Sequence, residues 1–443
     1  MQSAKGNVFN LPSLTLLDKY ERKSAIVSSR MVEQGLADLG IKAKVVNITR
    51  GLEITLFEME ALSCVNINKI DSLADDLALA LHVPFVRTPM QSNIWHIIPY
   101  SHNNAGAQIV PPTRGKGTFG IEIPNKECGV IHIKDILRSK TYCNFKGRLP
   151  IVFGVGPLNK PLVVNLVKIP HLLMAGMIGS ATRTVLNSMI CSLLFKVTPE
   201  DVKIIMLDSN KLDMSAYEGI PHLIHPVVTD SEKALKILKW VVGEVHRRHM
   251  IFNNLGVKCF ENYNKMIEKN KAVRYDPDPS QNEAPFIASA GNAGNASARN
   301  DIARKSKKVP YIVLIINDLA DLMMLAPRKV EESLALIARN AGMAGIHVIM
   351  LTRVLSVDVI TGVIKAYYPN RIALRVPSME TSRLILDNSG VASLLNPGDI
   401  ILRARTDKVS HLRGAYVSEK DIHRVVSFFK KQCGPANYNS ICF

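Results

Sequence analysis

The residues of this chain that could do chemistry begin with the turn Gly176-Met-Ile-Gly-Ser-Ala-Thr-Arg183. It follows the apolar run His171 to Gly176 and opens a helical pattern through Val185, Leu186 and Met189. A strand, a small-residue turn and a helix N-terminus form a scaffold on which backbone N–H groups can bind phosphate. A working phosphate loop reads GxxxxGK[ST]: a second glycine for close approach, a lysine for the β- and γ-phosphates, and a hydroxyl for Mg²⁺. Here those three positions hold Ala181, Thr182 and Arg183. On its residues alone the turn lacks the motif and reads as structural.

A second candidate is the end of the run Tyr311-Ile-Val-Leu-Ile-Ile-Asn317-Asp318. Nucleotide hydrolases place a Mg²⁺-organising Asp and a water-activating Glu where such a run ends. Asn-Asp keeps one carboxylate, and an amide brings no charge to a divalent cation. Asp318 equally suits the plain task of capping the segment that follows. His246 and His249, three apart on one helical pattern, have metal-ligand spacing but no third ligand, so no metal is assigned. The pair Met323-Met324 could be a soft binding surface and is better explained as packing.

These residues must be positioned by strands, and the sequence supplies them. His171 to Gly176, Val202 to Ser209, Tyr311 to Asp318, Ile346 to Arg353, Arg371 to Val376 and Asp399 to Arg403 are continuous apolar runs rich in Ile and Val. That is the pattern of strands buried on both faces. Helical patterns lie between them, which predicts an α/β domain with a parallel sheet covered by helices over residues 151–430. In such sheets ligands sit beyond the carboxyl ends of the strands, where both candidate sites fall. Thr229-Asp-Ser-Glu232 fits a capping box, followed by Leu235, Leu238 and Val242 on one helix face.

Ahead of that domain, residues 25–150 predict a smaller α+β domain. Val45 to Ile48 and Glu53 to Glu60 alternate as half-buried strands, and Asp71 to His82 reads as a helix with Leu73, Leu77, Leu79 and Leu81 on its apolar side. Residues 1–24 are an N-terminal extension and 431–443 a tail. Residues 93–117, rich in Asn, Gly, Pro and Ser, predict an exposed loop insertion. Residues 276–308 turn Pro-, Asn-, Ala- and Gly-rich and then basic (Arg304 to Lys308), which predicts a flexible insertion.

The 443 residues are 47% hydrophobic and 21% charged, a globular composition with no apolar run long enough to span a bilayer and no leader pattern. A soluble, cytoplasmic protein is expected. The cysteines at 64, 128, 143, 191, 259, 433 and 442 are scattered, with no CxxC pair or zinc spacing, as for free thiols in a reducing compartment. Lys and Arg outnumber the acids 55 to 38, for a net charge of +17. Such a chain attracts a polyanion such as DNA through counterion release, although a generally basic surface gives the same count.

Longer strings carry a resemblance. Tyr217-Glu-Gly-Ile-Pro-His-Leu223, Leu319-Ala-Asp-Leu-Met-Met324, Gly345-Ile-His347 and Ser356-Val-Asp-Val-Ile-Thr-Gly362 look like the motor domain of the FtsK/SpoIIIE ring-type DNA translocases. Ser72 to Leu77 and Gly117 to Asn125 resemble that family's α subdomain, and the likeness runs on to Arg413-Gly-Ala-Tyr-Val-Ser418, covering roughly residues 25–430. No stretch matches the family's membrane-spanning region or its winged-helix module.

The resemblance implies a RecA-like P-loop NTPase core and a hexameric ring around double-stranded DNA. It places the nucleotide-binding positions at Gly176, Gly179, Ser180, Ala181, Thr182 and Arg183. With Asn187 and Met189 in register, the phosphate-loop lysine falls on Thr182 and the Mg²⁺ hydroxyl on Arg183. The metal Asp falls on Asn317, the catalytic Glu on Asp318, and the γ-phosphate-sensing Gln on Arg353. The arginine finger falls on Gly342, and a finger alone supplies roughly three to five orders of magnitude in rate. Arg183 and Arg353 leave room for weak binding of ATP or Mg²⁺. Of the family's basic pore positions, which map to Val354, Met379 and Arg383, only Arg383 keeps its charge. Arg328 and Lys329, in the loop after the Asp318 strand, are further candidates for DNA phosphates or else ordinary surface charge.

The expectation is therefore a catalytically degenerate ring subunit, a pseudo-ATPase of chromosome segregation or cell division. Its partners would be double-stranded DNA, copies of itself, or an active FtsK-type paralogue. Two alternatives stand beside it: an ATP-driven translocase with compensating residues, and a scaffold that binds neither ligand.

Overall fold

The structure is a computed structural model that describes residues 9–18, 28–51, 54–62, 72–83, 86, 118–125, 130–156, 159–177, 181–209, 213–269, 308–387, 398–404, 409–434 and 438. The predicted insertion 93–117, nearly all of 276–308, and Gly179 and Ser180 of the turn lie outside the described residues.

The small domain packs helices α1 (Ser29–Asp38) and α2 (Ala74–Ala80) on an antiparallel sheet of β1 (Ala43–Arg50), β2 (Ile54–Ala61) and β3 (Thr118–Pro124), in that order. Its own core includes Leu36, Phe57, Met59, Leu77 and Ile121. The helix expected over 71–82 buries Ala74, Leu77, Ala78 and Leu81, whereas Leu79 is 73% exposed. Residues 74, 77, 78 and 81 share a helical face, and Leu79, two positions from Leu77, points the other way.

The large domain is built on β4 (Ile131–His132), β5 (Pro150–Val155), β6 (Pro161–Asn165), β7 (His171–Ala175), β8 (Val202–Asp208), β9 (Tyr311–Asn317), β10 (Ile346–Thr352), β11 (Asn370–Ala373), β12 (Asp399–Arg403) and β13 (Val409–Tyr416). The sheet runs β6-β5-β13-β12-β11-β7-β10-β9-β8, with β4 beside β13. Strands β11, β7, β10, β9 and β8 are mutually parallel. From β12 outward to β6 the pairing is antiparallel, while the short β4 lies parallel to β13. The expected parallel sheet is thus one half of a mixed one, and Asp399–Arg403 belongs to the antiparallel half.

The strands are wrapped by α3 (Ile133–Leu137), α4 (Lys140–Cys143), α5 (Thr182–Leu194), α6 (Ser231–Leu255), α7 (Phe260–Lys269), α8 (Leu319–Leu325), α9 (Pro327–Asn340), α10 (Gly362–Tyr367), α11 (Met379–Leu386) and α12 (Glu419–Cys433). Alternate strand residues feed two cores. Met174, Met206, Val313, Ile315 and Ile349 join α3, α5, α7 and α12 on one face. Leu173, Ile205, Ile312, Leu314, Ile316 and Met350 join α6, α8, α9, α10 and α11 on the other. Each fully buried Val, Leu or Ile contributes roughly 1.5–3 kcal/mol, so a one-residue slip is prohibitive and the strand ends are fixed. The larger core also takes in Ile131, Ile133, Ile136 and Leu149, ahead of residue 151.

Two local expectations change. Helix α6 is capped by Asp230, whose carboxylate accepts from Lys233 N at 2.8 Å, so Thr229 is one residue too early for the cap. Arg328 and Lys329 lie in the first turn of α9, which Pro327 opens, instead of in a loop. Gly345, in the Gly-Ile-His string, has φ +72 and stands where a Cβ would meet the Phe260 ring at 2.4 Å, so only glycine fits.

Candidate nucleotide site

The turn after β7 is tied to the carboxyl ends of both neighbouring strands. Gly176 N donates to Thr352 O at 3.3 Å and Met177 N to Arg375 O at 3.1 Å. Ala181 then adopts φ 66, ψ 19 and caps α5 without a side-chain hydrogen bond. A phosphate loop has its second glycine there, and the left-handed backbone that suits glycine is present with alanine in it. Thr182 is 4% exposed and turned into the protein. Helix α5 is buried along most of its length, so little besides its first turn faces outward.

Arg183 and Arg353 are held by acids of the same chain. Arg183 Nε stands 3.4 Å from Asp213 Oδ1, and its Nη2 pairs with Glu419 Oε1 at 2.5 Å. Arg353 Nη2 pairs with Asp213 Oδ2. Asn317, 1% exposed, donates through Nδ2 to Asp208 Oδ1 at 2.7 Å and to Asp213 Oδ2 at 3.1 Å. Asp208 Oδ2 accepts from Met214 N at 2.8 Å. A carboxylate at Asn317 would face two others, a repulsion that the amide avoids.

Asp318 sits at φ 84, ψ 89 as the cap of α8, accepting from Ala320 N at 3.3 Å. A non-glycine residue in that region carries strain of order 1–3 kcal/mol, which gathers at functional or switch positions. Its pKa is raised, first by burial and also by the Asp321 charge, against the lowering effects of the Ala320 amide and Arg353. Asp321 in turn accepts from Ser209 Oγ. Asp208, Ser209, Asp230, Asn317, Asp318 and Asp321 line a small open cleft between the ends of β8 and β9.

The structure therefore brings Gly176, Ala181, Thr182, Arg183, Asn317, Asp318 and Arg353 to one edge of the sheet. Gly342 lies apart, before the amino end of β10, with Pro170 Cβ 3.6 Å from where its own Cβ would be. Arg383 is exposed on α11 and Arg328 and Lys329 are exposed on α9. Val354 and Met379, mapped to the pore, are exposed hydrophobics. His246 Nδ1 and His249 Nε2 face the carbonyls of Val242 (2.9 Å) and Asn340 (3.0 Å). Among the described residues no group of three or more His, Cys, Asp or Glu could hold a metal ion.

Sequence reasoning missed Asp208 and Asp213. Asp208 ends an expected strand, which is a signal of its own, but only the strand order sets it against Asn317. Nothing local in the sequence points Asp213 at two arginines.

Comparison with known proteins agrees with this architecture. A family model described as FtsK/SpoIIIE family matches residues 132–357, more than half of the chain, and one described as FtsK alpha domain matches residues 11–95. The chain belongs to the FtsK/SpoIIIE family. A DNA translocase FtsK of Shewanella oneidensis is 38% identical over 433 residues, covering 94% of this chain and 43% of that protein. The FtsK of Clostridium tetani is 34% identical over 440 residues, covering 97% of this chain and 52% of its own. This FtsK/SpoIIIE chain thus spans about half the length of the curated relatives it matches.

Solved structures of low identity share the P-loop ATPase fold. The pCW3 conjugation coupling protein TcpA, in a monomer form with ATPγS, aligns with TM-score 0.54 at 17% identity, covering 91% of this chain and 98% of its own. The cytoplasmic domain of the Thermomonospora curvata type VII secretion ATPase EccC aligns with TM-score 0.51 at 18% identity, covering 70% and 35%. Among the described residues no helix is long and apolar enough to cross a membrane.

Proposed function

We propose that this FtsK/SpoIIIE chain is a ring subunit that binds double-stranded DNA, alone or beside an active paralogue, and does not itself hydrolyse ATP. One observation carries the reading. The residues at the lysine and metal-Asp positions, Thr182 and Asn317, are buried, and Asn317 is hydrogen-bonded within the fold. Arg183 and Arg353, which could offer replacement charge, are paired with Asp213. Phosphoryl transfer depends on positioning and electrostatic stabilisation, so losing both together removes the means of catalysis. The +17 charge supports a polyanionic partner.

The alternative is an ATP-driven translocase with compensating residues. Asp318 favours it, as a carboxylate of raised pKa at the family's catalytic position. ATP turnover by the purified chain, with and without duplex DNA, separates the two. The proposal expects no DNA-stimulated hydrolysis, while hydrolysis that vanishes in Asp318→Ala establishes the alternative.

A further inference from the structure

We propose that Asp213 is an internal ligand, its carboxylate filling an oxyanion seat built by Arg183, Arg353 and the Asn317 amide. Phosphate-class anions would reach that seat only by displacing it. The inference rests on the non-hydrolysing reading of the site and adds what occupies it.

Three donors from three separate elements converge on one carboxylate. Arg183 comes from the first turn of α5, Asn317 from the end of β9, and Arg353 from the residue after β10. Asp213 Oδ1 faces Arg183 Nε at 3.4 Å, while Oδ2 takes both Arg353 Nη2 and Asn317 Nδ2, the last at 3.1 Å. The Asp213 side chain is only 12% exposed. Each guanidinium meets Asp213 through a single nitrogen, Nε of Arg183 and Nη2 of Arg353, and such charge-assisted donors serve a phosphate oxygen as well as a carboxylate oxygen. The carboxylate is delivered from the β8 side, where the next residue, Met214, is anchored through its amide to Asp208 at 2.8 Å.

Two features separate this from an ordinary surface ion pair. The seat lies at the carboxyl edge of the parallel strands, beside a left-handed turn and the start of a thirteen-residue helix, where backbone dipoles also favour an anion. The contact is also made largely out of water, with Asn317 1% exposed and the Asp213 side chain 12%, unlike a solvated surface pair. With Asp213 in the seat and Glu419 on the outer side of Arg183, both guanidinium charges are matched without any ligand.

The test is tripolyphosphate binding without added metal, by calorimetry at fixed ionic strength, to the unmodified chain and to Asp213→Asn. Asp213→Asn keeps the shape and removes the charge, and it should bind at least tenfold more tightly. Adding Arg353→Gln to that variant should abolish the gain. Equal affinity for the two proteins, or a gain that survives Arg353→Gln, overturns the proposal. Should Asp213→Asn not fold, hydrogen exchange at the Met214 amide of the unmodified chain replaces it: tripolyphosphate should speed exchange, and unchanged exchange overturns the proposal. ATP turnover by the unmodified chain would sink the non-hydrolysing reading, whereas absent tripolyphosphate binding by Asp213→Asn, with no turnover by the unmodified chain, sinks only this inference.

Discussion

The side-chain amide of Asn317 donates to the Asp208 carboxylate at 2.7 Å, joining the carboxyl ends of β9 and β8. Asp208 is fully buried and Asp213 stands on the same amide, so Asn317 separates two negative groups. An acid at this position should therefore harm the fold.

Asn317→Asp is expected to lower stability by roughly 3–5 kcal/mol near neutral pH, the cost of an uncompensated buried charge. Its new carboxyl would have a pKa raised by the neighbouring carboxylates. A raised folded-state pKa means more protons bound in the fold, so the loss should be largest at pH 7–8 and shrink toward pH 5. Urea melts across that range check it, and a pH-independent or absent loss contradicts the account.

Two neighbouring turn residues should answer oppositely. Ala181 has the left-handed backbone, which costs an L-residue roughly 1–2 kcal/mol, partly offset by the chain entropy a glycine adds. Ala181→Gly should leave stability unchanged or raise it by up to about 1 kcal/mol. Thr182→Lys puts an ammonium group at a position 4% exposed and should cost roughly 2–3 kcal/mol. Thermal melts read both, and a turnover assay on Thr182→Lys should show no hydrolysis because Asn317, Arg353 and Gly342 are unchanged.

Acid should loosen the large domain in a defined window. Burial lowers the pKa of His171 and His222 to about 4 and of His347 to about 3, from an ordinary 6.5. The unfolded chain takes up protons first, so the stability these neutral rings contribute is complete above pH 6.5. It falls as pH drops through about 4. Each ring would account for about 3 kcal/mol over that span. Urea melts of His347→Gln should show a shallower loss between pH 6.5 and 4, and an unaltered slope excludes His347.

The inner strands were legible because β7, β9 and β10 are buried at every position and apolar at all but His171, Asn317, His347 and Thr352. Direction was not. Strand β5 is as apolar and as buried as β9, yet it runs antiparallel to its neighbours. A strand's own residues do not record the sense of its partners. The candidate site was half legible for the same reason. Gly176, Thr182, Asn317 and Arg353 follow from strand ends and a resemblance, whereas the Asp208–Asn317 contact depends on β8 lying beside β9. Leu79 is exposed because the buried face is set by the helical angle shared by residues 74, 77, 78 and 81, which a count of leucines does not record.

Arg383 is the residue on which duplex binding should depend most visibly. It is exposed on α11 at a mapped pore position, and the two other mapped positions are the uncharged Val354 and Met379. Helix α11 is well anchored for the purpose. Ser378 caps it, and Asp387 at its end pairs with Lys365, Arg371 and Arg403, which together with their hydrogen bonds lower its pKa despite partial burial. Arg383→Ala removes one cation from a framed surface without touching those contacts, and a fold change is not expected. If Arg383 meets a DNA phosphate, its loss should weaken binding to all sequences alike and reduce the slope of log affinity against log salt by about one unit. Fluorescence anisotropy with two unrelated duplexes over a salt series measures both quantities. Unchanged affinity and slope would remove Arg383 from the interface, and no binding by the unmodified chain at low salt would leave the scaffold reading as the better one.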